Sequence, residues 1–543
     1  MNLATARTNH GRLIAANIAK RYKSGPATSP AAGQPKHKDR YNYNRSSLIS
    51  FDDDPQQHAS YKRVTARELA SYRTPPRKVK MLARDFIHDS LYNPNYGYFP
   101  KNATIFSSDT PFDFTQLHNL AHFQDQVARR YVEYGIVPAP GEGPGRQVWH
   151  TPTELFKPWY GQAIAQSLVS EYMVRYFPYE DFIVYEMGAG NGTLAQNILD
   201  YLRDQYPEVY ERTRYRIIEI SKPLAEAQRQ RLLPDHPCVE IYNKNVFEWD
   251  TYVPAPCFFL ALEVIDNFPH DVIRYDLNDL KPYQGIVSID DQGDFTELYE
   301  PVQDPLIRQF LQFRSEINHE SPALASPWLK YPSLRSIYRS APFAPNVTSK
   351  PEFIPTRILT FLKMLRRNFP LHRLLLSDFS SLPDAMPGYN SPVVQTRFRD
   401  TMVPVETFMV QPGYFDIFFP TSFELLRDMY ELVMSKPLSA LRLPDKSNAI
   451  NSAPSGTAEA DSPRPLPTAP TVGGRLGANF FTPKGRRPRT GQTSGMGLAV
   501  GETKAAICTH QEFMQQYANL DGTRLRNGDN PLLDYYRNVK FLY

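Results

Sequence analysis

Three glycines at alternate positions, Gly188, Gly190 and Gly192, separate a short apolar run from a helix-like stretch. Such a turn lets the backbone approach a nucleotide cofactor, because glycine has no side chain and readily adopts positive φ. The turn that binds a dinucleotide has the spacing GxGxxG, whereas this chain has GxGxG with Thr193 at the third glycine position. Glu186 stands two positions before the turn. This combination favours S-adenosyl-L-methionine over NAD, which remains the alternative cofactor.

Polar residues after the neighbouring strand-like stretches provide further contacts for a cofactor. The helix N-terminus near Asn191 offers free amides to the carboxylate of the cofactor. Glu219 ends the second strand, where a carboxylate accepts hydrogen bonds from both ribose hydroxyls. Because NAD enzymes also carry an acid at this position, Glu219 does not discriminate between the two cofactors. After the third strand, either Asn243 or Asn245 is a candidate contact for adenine, the alternative being that both lie in an exposed loop.

Two acids follow the fourth strand-like stretch, in the sequence LEVIDNFP. Ligands of doubly wound sheets bind at the carboxyl ends of the strands. Glu263 and Asp266 are therefore predicted to meet the acceptor nucleophile beside the transferred methyl group. For Asp266 the alternative is a structural role as the cap of a turn.

The elements around these residues alternate between strand and helix. The strand-like stretches are FIVYEM, YRIIEI and CFFLAL, and helix-like stretches run over 192–206 and 223–233. This order predicts an α/β fold with a doubly wound, Rossmann-like methyltransferase sheet. We expect an N-terminal helical region on the substrate side (79–180), a cofactor-binding core (181–300), an inserted α+β part of the catalytic domain (301–446) and a C-terminal segment that packs back on it (505–543).

The N-terminus and one internal segment differ in composition from the rest of the chain. The first 38 residues contain no acid and include Arg7, Arg12 and Arg21 beside an amphipathic stretch, which predicts a mitochondrial transit peptide. The alternative is a solvated basic tail. Residues 39–78 are expected to form a flexible extension, and the Pro-, Ser- and Gly-rich residues 447–504 a disordered basic insertion.

Composition argues against several classes of protein. The net charge of +4 over 543 residues does not suggest a DNA-binding protein. No apolar run approaches the roughly 18 residues of a membrane helix. The three cysteines are far apart and form no CxxC motif, so they predict neither a zinc site nor a disulfide framework. The oligomeric state stays open.

The motifs, in their order along the chain, resemble those of the MidA-like family of mitochondrial complex I assembly factors, which are protein arginine methyltransferases. The matching stretches are YNPNYGYF, HTPTEL, EMGAGNGTL, IEIS and LEVIDNFP. The resemblance implies S-adenosyl-L-methionine as the cofactor, a protein substrate such as a complex I subunit, methylation of an arginine ω-nitrogen and a location in the mitochondrial matrix. It also implies a set of residues on the substrate side, which are Asn93, Tyr96, Gly97, Tyr98, Thr151 and Glu154.

The chain departs from the family pattern at three places. Gln147 and Val148 replace a Gly-Asp pair, Asp378-Phe379-Ser380 replaces a DYG turn, and Phe418-Phe419-Pro420 replaces the Ala-His-Val that follows an aspartate, here Asp416. All three departures concern the substrate side, whereas the cofactor motifs are intact. They support a second hypothesis, in which the chain binds S-adenosyl-L-methionine as an assembly factor or structural partner without turnover.

Overall fold

A computed structural model describes residues 58, 60–105, 110–135, 147–149, 151–340, 348–398, 401–443 and 505–543. The predicted transit peptide, most of residues 39–59 of the predicted extension, His150 of the HTPTEL motif and the predicted insertion at 447–504 lie outside the described residues. In the part of the chain that is described, no helix is long and apolar enough to cross a membrane.

The described part of the chain contains strands in several sheets, connected by helices. The strands are β1 (Lys62–Arg63), β2 (Val79–Leu82), β3 (Ala103–Ile105), β4 (Gln147–Trp149), β5 (Phe182–Met187), β6 (Thr213–Glu219), β7 (Val239–Asn243), β8 (Cys257–Leu262), β9 (Asp271–Tyr275), β10 (Pro282–Ile289), β11 (Phe295–Pro301), β12 (Glu352–Ile354), β13 (His372–Phe379), β14 (Val393–Phe398), β15 (Thr401–Val405), β16 (Asp416–Phe418), β17 (Ile507–Thr509) and β18 (Val539–Leu542). The helices are α1 (Ala66–Leu69), α2 (Ala83–Tyr92), α3 (Tyr98–Asn102), α4 (Leu120–Gly135), α5 (Pro152–Leu155), α6 (Trp159–Arg175), α7 (Thr193–Gln205), α8 (Pro207–Tyr210), α9 (Lys222–Leu232), α10 (Pro305–Glu316), α11 (Pro327–Lys330), α12 (Pro332–Ser340), α13 (Thr356–Asn368), α14 (Phe423–Ser435), α15 (His510–Tyr517) and α16 (Pro531–Asp534).

The main sheet carries the glycine turn and both predicted catalytic acids. Its strand order is β17-β18-β13-β8-β5-β6-β7. The last five of these strands run parallel, and β18 is antiparallel to both of its neighbours. The chain builds outward in one direction from β5 and in the other from β8, so the switch point between these two strands is where a ligand binds in such a sheet. The predicted doubly wound α/β fold is confirmed.

Both faces of the main sheet are covered, which explains why its strands are apolar throughout. Successive side chains of a strand point to opposite faces. Val184 packs in a core with residues of α6 and α7, whereas Tyr185 packs on the other face with residues of α13 and α14. All six residues of β5 are buried as a result.

A second sheet combines an N-terminal segment with the middle of the chain. Its order is β1-β2-β10-β9-β12, with β11 paired to β10. Val79 of β2 lies opposite Ile289 of β10, and Leu82 lies opposite Ile286, in antiparallel register. Helix α2 packs on this sheet through Phe86 and Ile87.

The structure differs from the sequence-based prediction for residues 60–82. We predicted a flexible extension up to residue 78 and a helical region from 79, but β1, α1 and β2 occupy this segment. Thr65 and Glu68 form a capping box that starts α1, and Val64 and Leu69 are buried. The segment looks weakly patterned because its burial depends on pairing with β10, more than 200 residues away, and not on local periodicity.

Candidate functional site

The three glycines of the turn all adopt the left-handed conformation that the sequence predicts. Their φ angles are +70° at Gly188, +55° at Gly190 and +77° at Gly192. Gly192 is the N-cap of α7 and provides no side-chain bond to the helix. The first-turn amides of a helix lack intrahelical acceptors, so this end of α7 suits the carboxylate of a methionine-derived cofactor.

The glycine turn lies directly against the segment that follows β8. A Cβ atom on Gly188 would stand 2.7 Å from Cγ1 of Val264, closer than such atoms approach in folded proteins. Glycine is therefore needed here for both conformation and space. Because Val264 follows Glu263, the turn and the first predicted catalytic acid meet at the switch point of the main sheet.

Two predicted cofactor carboxylates, Glu186 and Glu219, are brought together at the ends of β5 and β6. The Tyr215 hydroxyl donates to Oε2 of Glu186 at 2.7 Å. Burial raises the pKa of Glu186 to about 7, although the bond from Tyr215 lowers it, and the Glu219 charge raises it further. Burial likewise raises the pKa of Glu219, whose Oε1 accepts a hydrogen bond from the amide of Ser221 at 2.8 Å. Negative charge at this point suits a cofactor that carries an ammonium and a sulfonium.

Gln228 of α9 connects the strand tip to the glycine turn. Its Nε2 donates to Oε2 of Glu219 at 3.1 Å and to the carbonyl of Gly190 at 2.8 Å. The side chain is fully buried, and its Oε1 has no hydrogen-bond partner among the described residues. A buried acceptor of this kind is normally satisfied by a ligand or by water. These residues therefore fit an S-adenosyl-L-methionine molecule whose polar groups complete the network.

Glu154, which the sequence placed on the substrate side, contacts the glycine turn in the structure. Its Oε1 accepts hydrogen bonds from Thr193 at 2.7 Å and from Asn191 at 3.2 Å. Its Oε2 forms a buried ion pair with Lys157 at 3.0 Å. Thr151 is the N-cap of the short helix α5 and accepts from the amide of Glu154. The HTPTEL motif thus supports the cofactor turn and does not point away from it.

The two asparagines considered for adenine have different surroundings. Asn243 donates to the carbonyls of Glu219 and Ile220, so it fixes the backbone at the tip of β6. Asn245 is half-buried, and its Oδ1 accepts from the amide of Phe247 at 3.0 Å as the cap of a short 3-10 turn. Asn243 thus bonds to the backbone through its side-chain NH₂ group, whereas Asn245 does so through its side-chain oxygen.

Four carboxyl groups gather near the carboxyl ends of β8 and β13, and we call Glu263, Asp266, Asp378 and Asp416 the acid cluster. Asp378 Oδ2 accepts the backbone amides of Ile265 and Asp266 at 3.0 and 3.1 Å. Asn267 connects the cluster to β16, since its Nδ2 donates to Asp416 at 3.1 Å. The cluster therefore joins three segments that lie more than 30 residues apart in sequence.

The carboxyl groups of the acid cluster all have raised pKa values. Burial raises the pKa of Asp266 to about 7. The pKa values of the other three members lie well above the ordinary range, first because of burial and then because of the charge on Asp266. No lysine, arginine or histidine among the described residues is a cause of these shifts. A cationic ligand would lower all four pKa values and stabilise the ionised forms.

Backbone strain singles out Glu263 within the cluster. Its φ is +54°, a conformation that is unusual for a residue that is neither glycine nor asparagine. The amide of Glu263 donates to the carbonyl of Ser377 on β13 at 2.8 Å, which holds the strained residue in place. Strain of this kind gathers at functional sites, and the predicted catalytic acid carries it here.

The four N-terminal residues predicted for the substrate side, Asn93, Tyr96, Gly97 and Tyr98, form a structural turn after α2. Asn93 donates to Asp89 and to the carbonyl of Leu69, and Tyr96 donates to Asp89 at 2.7 Å. Gly97 has no room for a Cβ atom, which would lie 2.5 Å from the amide nitrogen of Asn93, and Tyr98 is fully buried. The side chains of Asn93 and Tyr96 thus bond to Asp89 within this turn.

Sequence reasoning missed several residues around the acid cluster. Tyr92, the first residue of YNPNYGYF, donates to the carbonyl of Asn267 at 3.1 Å. Burial raises its pKa, as do the charges on Asp266 and Asp416. Asp378 and Asp416 were noted only as the aspartates beside two departures from the family pattern. Both aspartates match the family pattern although the residues next to them depart from it, and this was the available signal in the sequence.

Among the described residues, no group of three or more His, Cys, Asp or Glu side chains is arranged to hold a metal ion.

Several known proteins are similar to this chain. Residues 163–438 match the family Methyltransf_28, described as S-adenosyl-L-methionine-dependent methyltransferases. A protein of Schizosaccharomyces pombe, named "Protein arginine methyltransferase NDUFAF7 homolog, mitochondrial", is 28% identical over 334 residues, which are 60% of this chain and 68% of that protein. A COG1565 superfamily member from Burkholderia thailandensis, crystallised with S-adenosyl-homocysteine, aligns over 70% of this chain and 79% of its own, at 15% identity and a TM-score of 0.41.

Proposed function

The chain belongs to the Methyltransf_28 family of enzymes that use S-adenosyl-L-methionine as their cofactor, and we propose that it methylates an arginine side chain of a mitochondrial protein. Arginine is the residue named for the Schizosaccharomyces pombe relative, and the sequence resembles complex I assembly factors. We further propose that the enzyme works in the mitochondrial matrix on a complex I subunit. The predicted transit peptide agrees with this location.

The acid cluster is the observation that carries the proposal. Four carboxyls with raised pKa values stand beside the glycine turn, without a cation among the causes of their shifts. A guanidinium group is permanently charged and donates hydrogen bonds from a planar fork to carboxylates. Its arrival would supply the missing positive charge and ionise the acids that it contacts. A neutral acceptor, such as a hydroxyl group, would leave these carboxyls protonated.

Glu263 is our candidate for the residue that handles the proton. When bound, S-adenosyl-L-methionine supplies an electrophilic methyl group. A guanidinium nitrogen must lose a proton as its new bond to carbon forms, and a carboxylate within hydrogen-bonding distance can accept it. Because burial raises the pKa of Glu263, the ionised side chain is a stronger base than an exposed glutamate. Asp266 would support Glu263 by keeping negative charge near the bound guanidinium.

The experiment that tests this proposal is methyl transfer with tritiated S-adenosyl-L-methionine. The full chain is incubated with mitochondrial protein extract, and labelled products are identified by mass spectrometry. We expect ω-N-methylarginine in a small number of proteins. Label on lysine, on a hydroxyl group or on a small molecule would contradict the arginine assignment. Label on an arginine of a protein outside complex I would contradict only the proposed substrate.

A further inference from the structure

An open cleft lies at the carboxyl end of β13, beside the acid cluster. Its volume is about 530 Å³. One wall is the segment 380–391 that follows β13, and the other is the segment 420–424 that begins α14. Nearly half of the lining side chains carry a hydroxyl or an amide, and these are Ser380, Ser381, Asn390, Ser391, Thr421 and Ser422.

Both walls of the cleft continue directly from segments that carry the acid cluster. Ser380 follows Asp378 by two residues. The other wall begins just after Phe419, whose amide donates to the carbonyl of Asp266 at 2.8 Å. The two walls are joined by the amide of Thr421, which donates to the carbonyl of Phe379 at 2.8 Å. A chain lying in the cleft would therefore run past the acid cluster.

The cleft presents hydrogen-bonding groups with little net charge. Its charged lining residues, Glu424 and Lys540, form an ion pair at 2.8 Å and largely neutralise each other. Hydroxyl and amide groups both donate and accept, so they can pair with the N–H and C=O groups of an extended peptide. This lining is suited to an uncharged polypeptide segment rather than to an acidic or basic one.

Ser391 contributes a buried hydroxyl group to the lining of the cleft. The residue is only 3% exposed, and its Oγ has no hydrogen-bond partner in the part of the chain that the structure describes. Gly388 faces it, since a Cβ atom on Gly388 would lie 2.8 Å from the Ser391 Oγ. A buried hydroxyl without a partner is unfavourable, so a ligand group that bonds to it from the cleft gains the free energy of that hydrogen bond.

A small apolar recess opens from the cleft. It shares Asn390, Pro420, Thr421 and Ser422 with the cleft and has a volume of about 30 Å³. Its other walls are mainly apolar and include Phe310, Ile358, Leu359, Leu425, Leu426 and Met429. A volume of this size holds roughly two water-sized groups, which corresponds to a small aliphatic side chain.

We propose that this cleft binds the segment of the protein substrate next to the methylated residue. The segment is extended and uncharged, places an alanine or valine side chain in the recess and directs its arginine toward the acid cluster. This inference rests on the proposed function for the identity of the methylated residue. The binding of the segment itself depends only on the cleft.

The test measures peptide retention and methyl transfer separately. The full-length protein, loaded with S-adenosyl-homocysteine, is immobilised and incubated with acetylated nonapeptides that have a central arginine and degenerate flanks. Retained peptides are then sequenced by mass spectrometry. We expect enrichment of alanine and valine beside the arginine, and depletion of charged residues from the flanks.

Ser381→Trp should block the cleft without disturbing the core, because Ser381 is exposed. We expect peptide retention to fall at least tenfold. Ser391→Ala should lower it several-fold, because the unpaired hydroxyl is lost. The matched control is Ser170→Trp, an exposed position on α6 that packs on the opposite side of the main sheet from α13 and α14. It should bind peptides as the unaltered protein does.

The outcomes separate the two proposals. Unchanged retention by Ser381→Trp, or no retention by the unaltered protein, would overturn the cleft assignment. Methyl transfer to N-acetylarginine amide is measured in parallel, with tritiated S-adenosyl-L-methionine. Transfer without peptide retention would contradict the cleft and leave arginine methylation in place. Retention of peptides that are never methylated would support the cleft and contradict arginine methylation.

Discussion

The glycine turn and the acid cluster face each other across the switch point of the main sheet, and they are built in opposite ways. Around the glycine turn, polar groups are bonded to one another: Tyr215 to Glu186, Gln228 to Glu219, and Glu154 to Thr193. In the acid cluster, burial and then the charge on Asp266 raise the pKa values of Glu263, Asp378 and Asp416. One half of the site is pre-formed, and the other consists of buried carboxyls whose ionisation is disfavoured.

This difference is informative about function. A pre-formed network binds its ligand with little reorganisation, as a cofactor site requires. Buried carboxyls keep their protons until a nearby cation stabilises the ionised forms, so the acid cluster gains most from a positively charged ligand. Gln228 is the exception on the cofactor side, because its Oε1 has no partner in the structure. The following predictions test whether the two halves behave in these two ways.

The largest effect is expected for Gly190→Val in the cofactor half. A β-branched residue at a φ of +55° is strained, and its methyl groups would occupy the turn that the cofactor approaches. We expect affinity for S-adenosyl-L-methionine to fall by at least about 100-fold in calorimetric titration. Gly528→Val is the control, since Gly528 also has a positive φ, +92°, and its Cβ position is in open space. Equal loss of binding in both variants would mean that backbone strain, and not the position of Gly190 in the glycine turn, causes the loss of affinity.

Glu263→Gln should affect the two halves differently, because it removes the proposed base from the acid cluster and leaves the glycine turn intact. We expect the rate of methyl transfer in single-turnover measurements to fall about 100- to 10,000-fold, the range typical of a general base. The dissociation constant for S-adenosyl-L-methionine should stay unchanged. Glu248→Gln, at an exposed position, is the control and should transfer methyl groups normally. Unaltered transfer by Glu263→Gln would remove Glu263 from the proposed mechanism.

The same contrast explains what could be predicted from the sequence. The glycine turn, Glu186 and Glu219 lie within 34 residues, and each lies at the end of a strand whose apolar run is visible in the sequence. Strand–turn–helix order therefore fixed the cofactor half with few long-range contacts. The boundaries of β5 and β8 agree with the predicted stretches to the residue.

The acid cluster could be predicted only in part, because its members come from distant segments. Asp378 follows Asp266 by 112 residues in sequence but accepts its backbone amide. Asp416 reaches the cluster through Asn267, from a three-stranded sheet that no local pattern indicated. The same limitation explains Glu154, whose role depends on contact between α5 and α7. Local periodicity carries no information on such pairings.

Glu154→Gln tests how far the pre-formed half depends on its internal bonds. Glu154 and Lys157 form a buried pair with side chains 2% and 9% exposed, and loss of one partner leaves a buried charge. We expect the free energy of unfolding to fall by about 3 kcal/mol in urea titrations. Affinity for the cofactor should weaken about tenfold, because the bonds to Asn191 and Thr193 are altered.

The control for that variant is Glu226→Gln. Glu226 pairs with Arg229 on the surface of α9, where the two side chains are 59% and 36% exposed. Surface pairs contribute little, so we expect a change within about 0.5 kcal/mol. If Glu154→Gln were equally mild, the glycine turn would not depend on α5, and the contrast with the acid cluster would be weaker.

The smallest effect concerns the pH dependence of stability. Burial raises the pKa of Asp266 from 3.8 to about 7, so the folded protein holds a proton that the unfolded chain releases near pH 4. The free energy of unfolding should therefore fall as pH rises from about 4 through 7. Asp266→Asn keeps an acceptor for the amide of Asn267 but cannot ionise. Its stability should fall less over this range, measured by denaturant titration at pH 5, 6, 7 and 8.

The difference between the two titration series isolates the acid cluster, because the buried histidines and other carboxyls are common to both proteins. Asp521→Asn, whose side chain is 82% exposed, should give a curve parallel to that of the unaltered protein. If the stability curve of Asp266→Asn were parallel as well, Asp266 would be ionised in the folded protein at pH 5. Some positive charge would then already compensate it. The acid cluster would then resemble the glycine turn, and a guanidinium ligand would lose its main electrostatic rationale.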